Sequence, residues 1–170
     1  MPEGPEIRRA ADRVEKAVAD RELVAVELHF EDLRASAAQL VGQQVTRVDT
    51  HGKAMLTHFS AGKVLYSHNQ LYGRWRIAAP DADPKTNRRL RVALRTEHRS
   101  ALLYSATDVD LLDSEELAVH PYLRGLGPDP LWAQTTVEEI ADRFASRTFR
   151  RRRLAGLLLD QSCIAGQGAC

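Results

Sequence analysis

The stretch VTRVDTHGKAMLTHFSAGKVLYS, residues 45–67, contains three short strand-like runs separated by two turns. The runs cover 45–50, 54–59 and 63–67, and they are joined by HGK and SAGK, whose glycines are typical of tight turns. Several short strands joined by short turns indicate a β-sandwich or a β-barrel.

A strand-like periodicity, in which apolar residues recur at every second position, extends outward from this stretch over residues 22–105. Two further runs, 74–78 and 101–105, resemble strands, and two segments alternate apolar with polar residues. The alternating apolar residues are Val24, Val26, Leu28, Phe30, Leu90, Val92 and Leu94.

A helix is predicted over residues 5–18, ahead of the first strand. Pro5 suits the first helical position, and Glu6 lies in the first turn, where the helix dipole favours an acid. The apolar residues recur at helical spacing: Ile7, Ala10, Ala11, Val14, Ala17 and Val18. Because this helix begins almost at the chain start, residues 1–4 are held beside it.

After Ser105 the pattern turns helical. Helix starts are predicted at Ser114 and at Thr136, where Glu139 completes the spacing of a capping box. Between them, GLGPDP at 125–130 is the best candidate for a linker. The segment RRRLAGLLLDQSCIAG, residues 151–166, is predicted to be a helix that is first basic and then apolar.

Composition is ordinary for a globular protein, with 44% hydrophobic and 28% charged residues among 170. No apolar stretch approaches the ~18 residues of a membrane helix, and the N-terminus is not a targeting peptide, so we expect a cytoplasmic location and no membrane partner. Two cysteines, Cys163 and Cys170, are too few for a zinc site or a disulfide framework.

Charge is unevenly distributed along the chain. Residues 1–142 contain 18 Lys/Arg against 22 Asp/Glu, whereas residues 143–170 contain six arginines and one aspartate. Five of those arginines cluster within seven residues, at Arg147, Arg150, Arg151, Arg152 and Arg153. Such a cluster attracts a phosphate backbone, although it is also typical of a solvated helix face.

The opening Met-Pro-Glu has a chemical interpretation if Met1 is removed. Pro2 would then offer a secondary α-amine, and an α-amine has a pKa of about 8 against about 10.4 for lysine. A partly unprotonated amine attacks an electrophilic sugar carbon to form an iminium ion, and Glu3 would act as acid or base beside it. Taken alone, these residues are equally typical of an ordinary N-terminus.

Five motifs occur together in the order and spacing of one family: PEGPEIRRAAD at 2–12, HGKAMLTHFS at 51–60, SHNQLYGRW at 67–75, HPYLRGLGPDPL at 120–131 and LAGLLLDQ at 154–161. From Pro2 to about Gly168, the chain resembles the formamidopyrimidine-DNA glycosylase/endonuclease VIII family.

This resemblance implies an α+β fold. A two-layer β-sandwich with flanking helices would span residues 2–125, a linker 126–132, and the start of an incomplete helix–two-turn–helix module 133–170. It also implies a bacterial-type, nucleoid-associated base-excision repair enzyme. Such an enzyme is a bifunctional DNA glycosylase and apurinic/apyrimidinic lyase, a monomer that acts on damaged double-stranded DNA.

The matching positions imply roles for individual residues. Pro2 would be the Schiff-base nucleophile, Glu3 the proton donor to the deoxyribose, and Lys53 a proton donor and phosphate contact. Glu6 would be an accessory acid near the site. On its own, Lys53 reads as a surface turn lysine.

Gln70, Leu71 and Tyr72 match the residues that this family inserts into the gap left by a flipped nucleotide, and the triplet favours oxidised pyrimidines as substrates. An apolar wedge with a flat ring replaces part of the lost stacking. The arginines at 150–153 would contact DNA phosphates. Without the resemblance, Leu71 and Tyr72 are equally typical of hairpin side chains.

Two departures from the family pattern leave alternatives open. The family has an asparagine that binds phosphate where this chain has Ala169, and the family's zinc finger would lie beyond residue 170, so no cofactor is expected in this chain. One alternative is a catalytically impaired, shortened member that binds DNA weakly. Another is a β-sandwich interaction module unrelated to repair.

Overall fold

A computed structural model describes residues 2–168. The first helix, α1, spans Gly4–Val18 and confirms the helix predicted over 5–18. Its predicted apolar face is buried throughout, with Ala11, Val14 and Val18 completely covered. Pro5 lies in the first turn, as its fixed φ and missing N–H favour.

Eight strands and five further helices follow α1, and a short 3-10 turn precedes the second helix. The elements are β1 (Ala25–Leu28), the 3-10 turn (Arg34–Ser36), α2 (Ala37–Leu40), β2 (Val45–His51), β3 (Ala54–Phe59), β4 (Val64–His68), β5 (Arg74–Ala78), β6 (Leu90–Arg95), β7 (Ser100–Tyr104), β8 (Asp108–Leu112), α3 (Ser114–Val119), α4 (Pro121–Arg124), α5 (Val137–Ala145) and α6 (Leu154–Leu159).

The strands form two antiparallel four-stranded sheets, ordered β1-β6-β7-β5 and β2-β3-β4-β8. Both sheets contribute to one core: Met55 and Leu65 from one sheet pack in the same cluster as Leu94 and Leu103 from the other. The arrangement is the α+β fold with two β-layers that the sequence predicts, and it is a sandwich rather than a barrel.

Alternate residues of β4 face opposite sides of its sheet. Leu65 points into the shared core, whereas Val64 and Tyr66 pack against Leu123 of α4 on the outer face. All five residues of β4 are therefore buried, because the helices that follow β8 cover the outer face of this sheet.

The prediction that the chain turns helical directly after Ser105 is wrong. Residues 108–112 form β8, which pairs with β4 from Val64↔Leu112 to His68↔Asp108. Residues 108–111 do alternate, with Val109 and Leu111 on the core side. The alternating run is only four residues long and aspartate is disfavoured in strands, so pairing with β4 decides the conformation. The helix begins at Ser114, and Asp113 caps it by accepting from the amides of Glu115 and Glu116.

The predicted helix over 151–166 is shorter than expected. Only Leu154–Leu159 is helical, and the arginine run before it forms a turn. Asp160 ends the helix because its carboxylate accepts from both the amide and the hydroxyl of Ser162. These local bonds compete with continuation of the helix.

The predicted linker at 125–130 is packed rather than exposed. Asp129 is only 1% exposed, and a side chain at Gly127 would collide with the backbone of Cys163. The domain boundaries at 125 and 132 stay a prediction.

Among the described residues, no helix has both the length and the apolar character needed to cross a membrane.

The segment that follows α6, residues 161–168, returns to the start of the chain. The Ala165 amide donates to the Pro128 carbonyl, and the Gly4 amide donates to the Gly166 carbonyl at 2.8 Å. Leu157 and Ile164 are buried, while Leu154, Leu158 and Leu159 remain exposed.

Candidate active site

The buried ion pair of Lys53 and Glu3 forms the centre of the site. Lys53 lies in the turn between β2 and β3, where Gly52 adopts a φ of +59° that favours glycine. Its Nζ lies 3.1 Å from Glu3 Oε2, and the lysine is only 5% exposed. A lysine so deeply covered is unusual without a partner, so this turn is more than a surface loop.

The start of α1 positions Glu3 and Pro2. Glu6 Oε2 accepts from the Glu3 amide at 2.9 Å, and the Glu3 carbonyl accepts from the Glu6 amide. Glu6 therefore fixes the backbone of Glu3 within the helix cap. Pro2 is half-buried and directly precedes Glu3 in the chain.

Residues of α4 and the following segment hold the Lys53 turn in place. The Gly52 amide donates to Asp129 Oδ2 at 2.7 Å, and the Lys53 amide donates to the Tyr122 hydroxyl at 3.1 Å. Trp132 Nε1 donates to the Thr50 carbonyl, and its ring lies 4.2 Å from that of His51. We call Tyr122, Asp129 and Trp132 the brace.

Residues 161–168 close the site from another side. Gly4, Gly52 and Gly166 approach one another so closely that a side chain at Gly4 would press on the Gly166 backbone. Gln161 Oε1 accepts from the Gly166 amide at 2.9 Å and holds this loop together. Gly168 lies against the Glu3 carboxylate, leaving no room for a Cβ there.

The Gln70–Tyr72 triplet lies on the turn between β4 and β5. Leu71 and Tyr72 are 64% and 69% exposed, an unusual exposure for adjacent large apolar residues. Gln70 has a φ of +49°, and its Oε1 accepts from the Thr107 hydroxyl at 2.8 Å. Arg88 donates to the Tyr72 carbonyl at 2.7 Å. The turn thus presents two apolar tips from a fixed backbone.

Strand register places this turn at the same end of the sheet as Lys53. Ala54, directly after Lys53, pairs with His68 at the end of β4. His68 stacks edge-on against Tyr122 at 4.9 Å. Burial lowers the pKa of His68, the Asp108 charge partly offsets this effect, and the Lys53 charge lowers the pKa further, which favours the neutral imidazole at this end of the sheet.

The arginine cluster lies away from these contacts, in the turn before α6. Arg150, Arg151, Arg152 and Arg153 are all exposed. Arg152 forms an ion pair with Asp160 at 2.6 Å, and its guanidinium lies over the Phe149 ring. The structure does not bring this cluster into contact with Glu3 or Lys53. Met1, Ala169 and Cys170 lie outside the described residues.

Within residues 2–168, no group of three or more histidine, cysteine or acidic side chains is placed to hold a metal ion. Cys163 is buried in a small apolar cluster with Phe149 and Leu157, and burial raises the pKa of its thiol. These residues offer no zinc site.

Sequence reasoning missed the brace and the Gln161 contact. All four residues lie in or directly beside the motifs HPYLRGLGPDPL and LAGLLLDQ, which carried the family resemblance without any assigned chemistry. The polar Asp129 inside a Gly/Pro-rich run was the available signal, because such a residue often caps a neighbouring backbone.

Comparison with known proteins agrees with this architecture. The model of the formamidopyrimidine-DNA glycosylase N-terminal domain matches residues 1–108. Endonuclease 8 of Salmonella agona (strain SL483) is 53% identical over 168 residues, which are 99% of this chain and 64% of that protein. Endonuclease 8 of Escherichia coli O17:K52:H18 (strain UMN026 / ExPEC) is 52% identical, with the same coverage.

Solved structures show the same fold at lower identity. The Lactococcus lactis Fpg (MutM) complex with N7-benzyl-Fapy-dG DNA has a TM-score of 0.77 at 18% identity, covering 98% of this chain and 63% of that one. Its complex with DNA containing an oxidised pyrimidine has a TM-score of 0.80, also at 18% identity, and the match covers 98% of this chain and 64% of that one.

The chain spans 64% of the length of the endonuclease 8 relatives. With a family model matched over more than half its length, the chain belongs to the formamidopyrimidine-DNA glycosylase family.

Proposed function

We propose that this chain carries the catalytic centre of a DNA glycosylase and apurinic/apyrimidinic lyase for oxidised bases in double-stranded DNA. The observation that carries the proposal is the pair of Glu3 and Lys53, 3.1 Å apart, in which Glu3 directly follows Pro2 in the chain. An amine nucleophile, a carboxyl acid and a second amine are the groups that glycosidic displacement and strand cleavage require.

The first step replaces the base by the enzyme. With Met1 removed, the Pro2 nitrogen attacks C1′ of the deoxyribose, and the bond from C1′ to the base breaks as the base leaves with the electron pair. The departing base takes up a proton from the solvent. The Glu3 carboxylate takes the proton that the Pro2 nitrogen loses and donates it to the ring oxygen, so that the ring opens and the nitrogen lone pair completes an iminium ion. Lys53 lies beside the carboxylate and stabilises the anion that proton donation leaves on Glu3.

The second step cleaves the strand. The iminium ion acidifies the C2′ proton, and its loss expels the 3′ phosphate. A second elimination expels the 5′ phosphate, and hydrolysis releases Pro2. We assign contact with the scissile phosphate and protonation of the departing oxygen to the ammonium group of Lys53. The brace holds that cation through the Gly52 and Lys53 amides.

The exposed turn supports base extrusion. Removing a base from the stack costs a few kcal/mol, and Leu71 with Tyr72 is the apolar pair available to occupy the gap. The Gln70–Leu71–Tyr72 triplet favours oxidised pyrimidines as the substrate class, by resemblance to the endonuclease VIII branch.

Borohydride trapping tests the proposal. The protein is incubated with a duplex that contains an abasic site, reduced, digested and mapped by mass spectrometry. We expect a stable adduct on the peptide that begins at Pro2. A matched protein that keeps a residue ahead of Pro2 should give no adduct. An adduct on a protein that still carries Met1, or one mapped to a lysine, contradicts the assignment of Pro2.

A second candidate function is weak DNA binding without catalysis. It is favoured by Ala169, where the family has a phosphate-binding asparagine, and by the exposed leucines of α6, Leu154, Leu158 and Leu159. The same experiment separates the two: salt-sensitive binding of abasic DNA with no adduct supports this candidate.

A further inference from the structure

A basic cleft lies between α1 and β5, outside the site described above. It has a volume of about 670 Å³ and is lined by Arg13, Arg74 and Arg76, with Ala10, Trp75 and Ile77 forming apolar walls. We propose that this cleft is a second DNA contact, which binds the phosphodiester backbone of the duplex beside the extruded nucleotide. The inference rests on the proposed function.

The charge of the cleft is uncompensated. No ion pair joins Arg13, Arg74 or Arg76 to any acid in the described part of the chain. Three acids adjacent in sequence to cleft residues have other partners: Asp12 pairs with Arg8, Asp83 pairs with Arg95, and Glu15 accepts from the Val48 amide. Three guanidinium groups without carboxylate partners favour a phosphate, which they bind through planar, paired donors.

The position of the cleft argues for DNA rather than a free anion. Arg74 follows the Gln70–Tyr72 turn after one residue, Gly73, so the cleft continues directly from the proposed wedge. Arg74 and Arg76 lie two residues apart on an edge strand and therefore share a face, about 6.8 Å apart along the strand. That spacing equals about two base steps of the duplex, at 3.4 Å for each phosphate of one strand.

A second group of arginines also lies beside the turn. Arg88 and Arg89 line a small cleft with Tyr72 and Ser105, and Arg88 donates to the Tyr72 carbonyl. Further cations are therefore available next to the Gln70–Tyr72 turn to contact the DNA backbone.

The test measures how binding depends on salt. Fluorescence anisotropy follows a short labelled duplex with a central abasic-site analogue, titrated with the wild type, R13Q/R74Q/R76Q and R21Q/R34Q/R99Q. The last variant is the matched control, since it loses the same charge from three exposed arginines elsewhere. Each phosphate contact contributes about 0.9 to the slope of log affinity against log salt, so the cleft variant should lose about 2.7 from the slope.

We expect the control variant to keep the wild-type slope. Equal slopes for the cleft and control variants would overturn the inference, while adduct formation by both would leave the proposed function standing. Wild-type protein that neither binds nor traps abasic DNA would overturn both. If the triple variant does not fold, R74Q alone, on an exposed side chain, should lower the slope by about 0.9, and no change would overturn the inference.

Discussion

The ion pair of Lys53 and Glu3 stabilises two charges that would each be costly to bury alone. Lys53 is almost completely covered, and the Glu3 oxygen that faces it has no solvent exposure. Removing one member of a buried pair leaves the other uncompensated, at a cost of about 3–5 kcal/mol. Variants that keep the shape of the side chain are therefore the informative ones at these positions.

Glu3→Gln should slow excision of an intact damaged base more than cleavage at a preformed abasic site. Base excision needs acid assistance on the sugar, while an abasic aldehyde is already electrophilic. General acid catalysis contributes about 10²–10⁴ in rate, and single-turnover assays on two duplexes that differ only at the lesion measure the difference. Equal losses on both duplexes would limit Glu3 to orienting Lys53.

Folding stability should fall as the pH drops below about 6.5. Burial is the main cause that lowers the pKa of His51, His58 and His68, so the unfolded chain binds these protons at a higher pH than the folded one. Stability is then fully present above the unfolded pKa and is lost below it. Urea denaturation at about pH 8 and about pH 5 measures the change.

His68→Phe provides the control for this pH dependence. Phenylalanine keeps a ring against Tyr122 but does not titrate, so the loss of stability at low pH should be smaller in the variant. A variant as acid-sensitive as the wild type would show that the other two histidines account for the effect.

Pro2, Glu3 and Lys53 could be proposed from sequence only through the family's motifs, since each alone is typical of an ordinary N-terminus or of a surface turn. Tyr122 and Asp129 could not, because they act through hydrogen bonds to residues 69 and 77 positions away. The sequence around Tyr122 or Asp129 does not indicate which backbone amide each side chain accepts from. Family membership is shown, whereas the roles of the individual residues stay predictions.

At the scale of elements, the turn between β2 and β3 is held from outside its own hairpin. The amides of Gly52 and Lys53 donate to Asp129 and Tyr122, and Trp132 holds the end of β2 through the Thr50 carbonyl. The helical segment after β8 therefore determines the position of a side chain that belongs to the sheet.

Asp129→Ala should destabilise the protein by roughly 1–3 kcal/mol, since it leaves the buried Gly52 amide without an acceptor. Asp129→Asn keeps a carbonyl oxygen at the same place and should cost less. Urea denaturation gives the free energies of unfolding, and the rate of adduct formation reports on Lys53. Equal stability of Asp129→Ala and the wild type would show that water replaces the carboxylate.

Most elements were predictable, and those that were missed have physical explanations. Helix α1 and the first seven strands follow from apolar periodicity, with only small shifts at their ends. β8 was missed because its alternating run is short and its polar positions are aspartates, which are disfavoured in strands, so that its conformation depends on pairing with β4. α6 is shorter than predicted because Asp160 bonds locally to Ser162.

At the scale of the whole molecule, the last described segment packs against the start of the chain. Residues 161–168 contact the start of α1, the Lys53 turn and the segment at 127–128. The apolar segment predicted from the sequence is buried only in part. Leu157 and Ile164 pack against the rest of the protein, while Leu154, Leu158 and Leu159 are exposed.

Hydrogen exchange should divide this C-terminal region into two parts. The amides of Ala165 and Gly166 should be protected together with Gly4 and Gly127, because each donates a hydrogen bond within the docked segment. The amides of α6 should exchange faster, since three of its leucines are exposed. The measurement is made on a dilute monomer. If the amides of Ala165 and Gly166 exchange as fast as those of α6, residues 161–168 are not docked on the start of the chain.

The hydrogen bond between Gly4 and Gly166 has a consequence for biosynthesis. A ribosome delivers Pro2 and Glu3 first and the loop that packs on them much later, so the N-terminal amine emerges uncovered. If Met1 is removed, as proposed, its removal during translation would take place before that loop is made. The loop later docks on Gly4 and packs against Glu3, so the order of synthesis would let removal of Met1 precede assembly of the site.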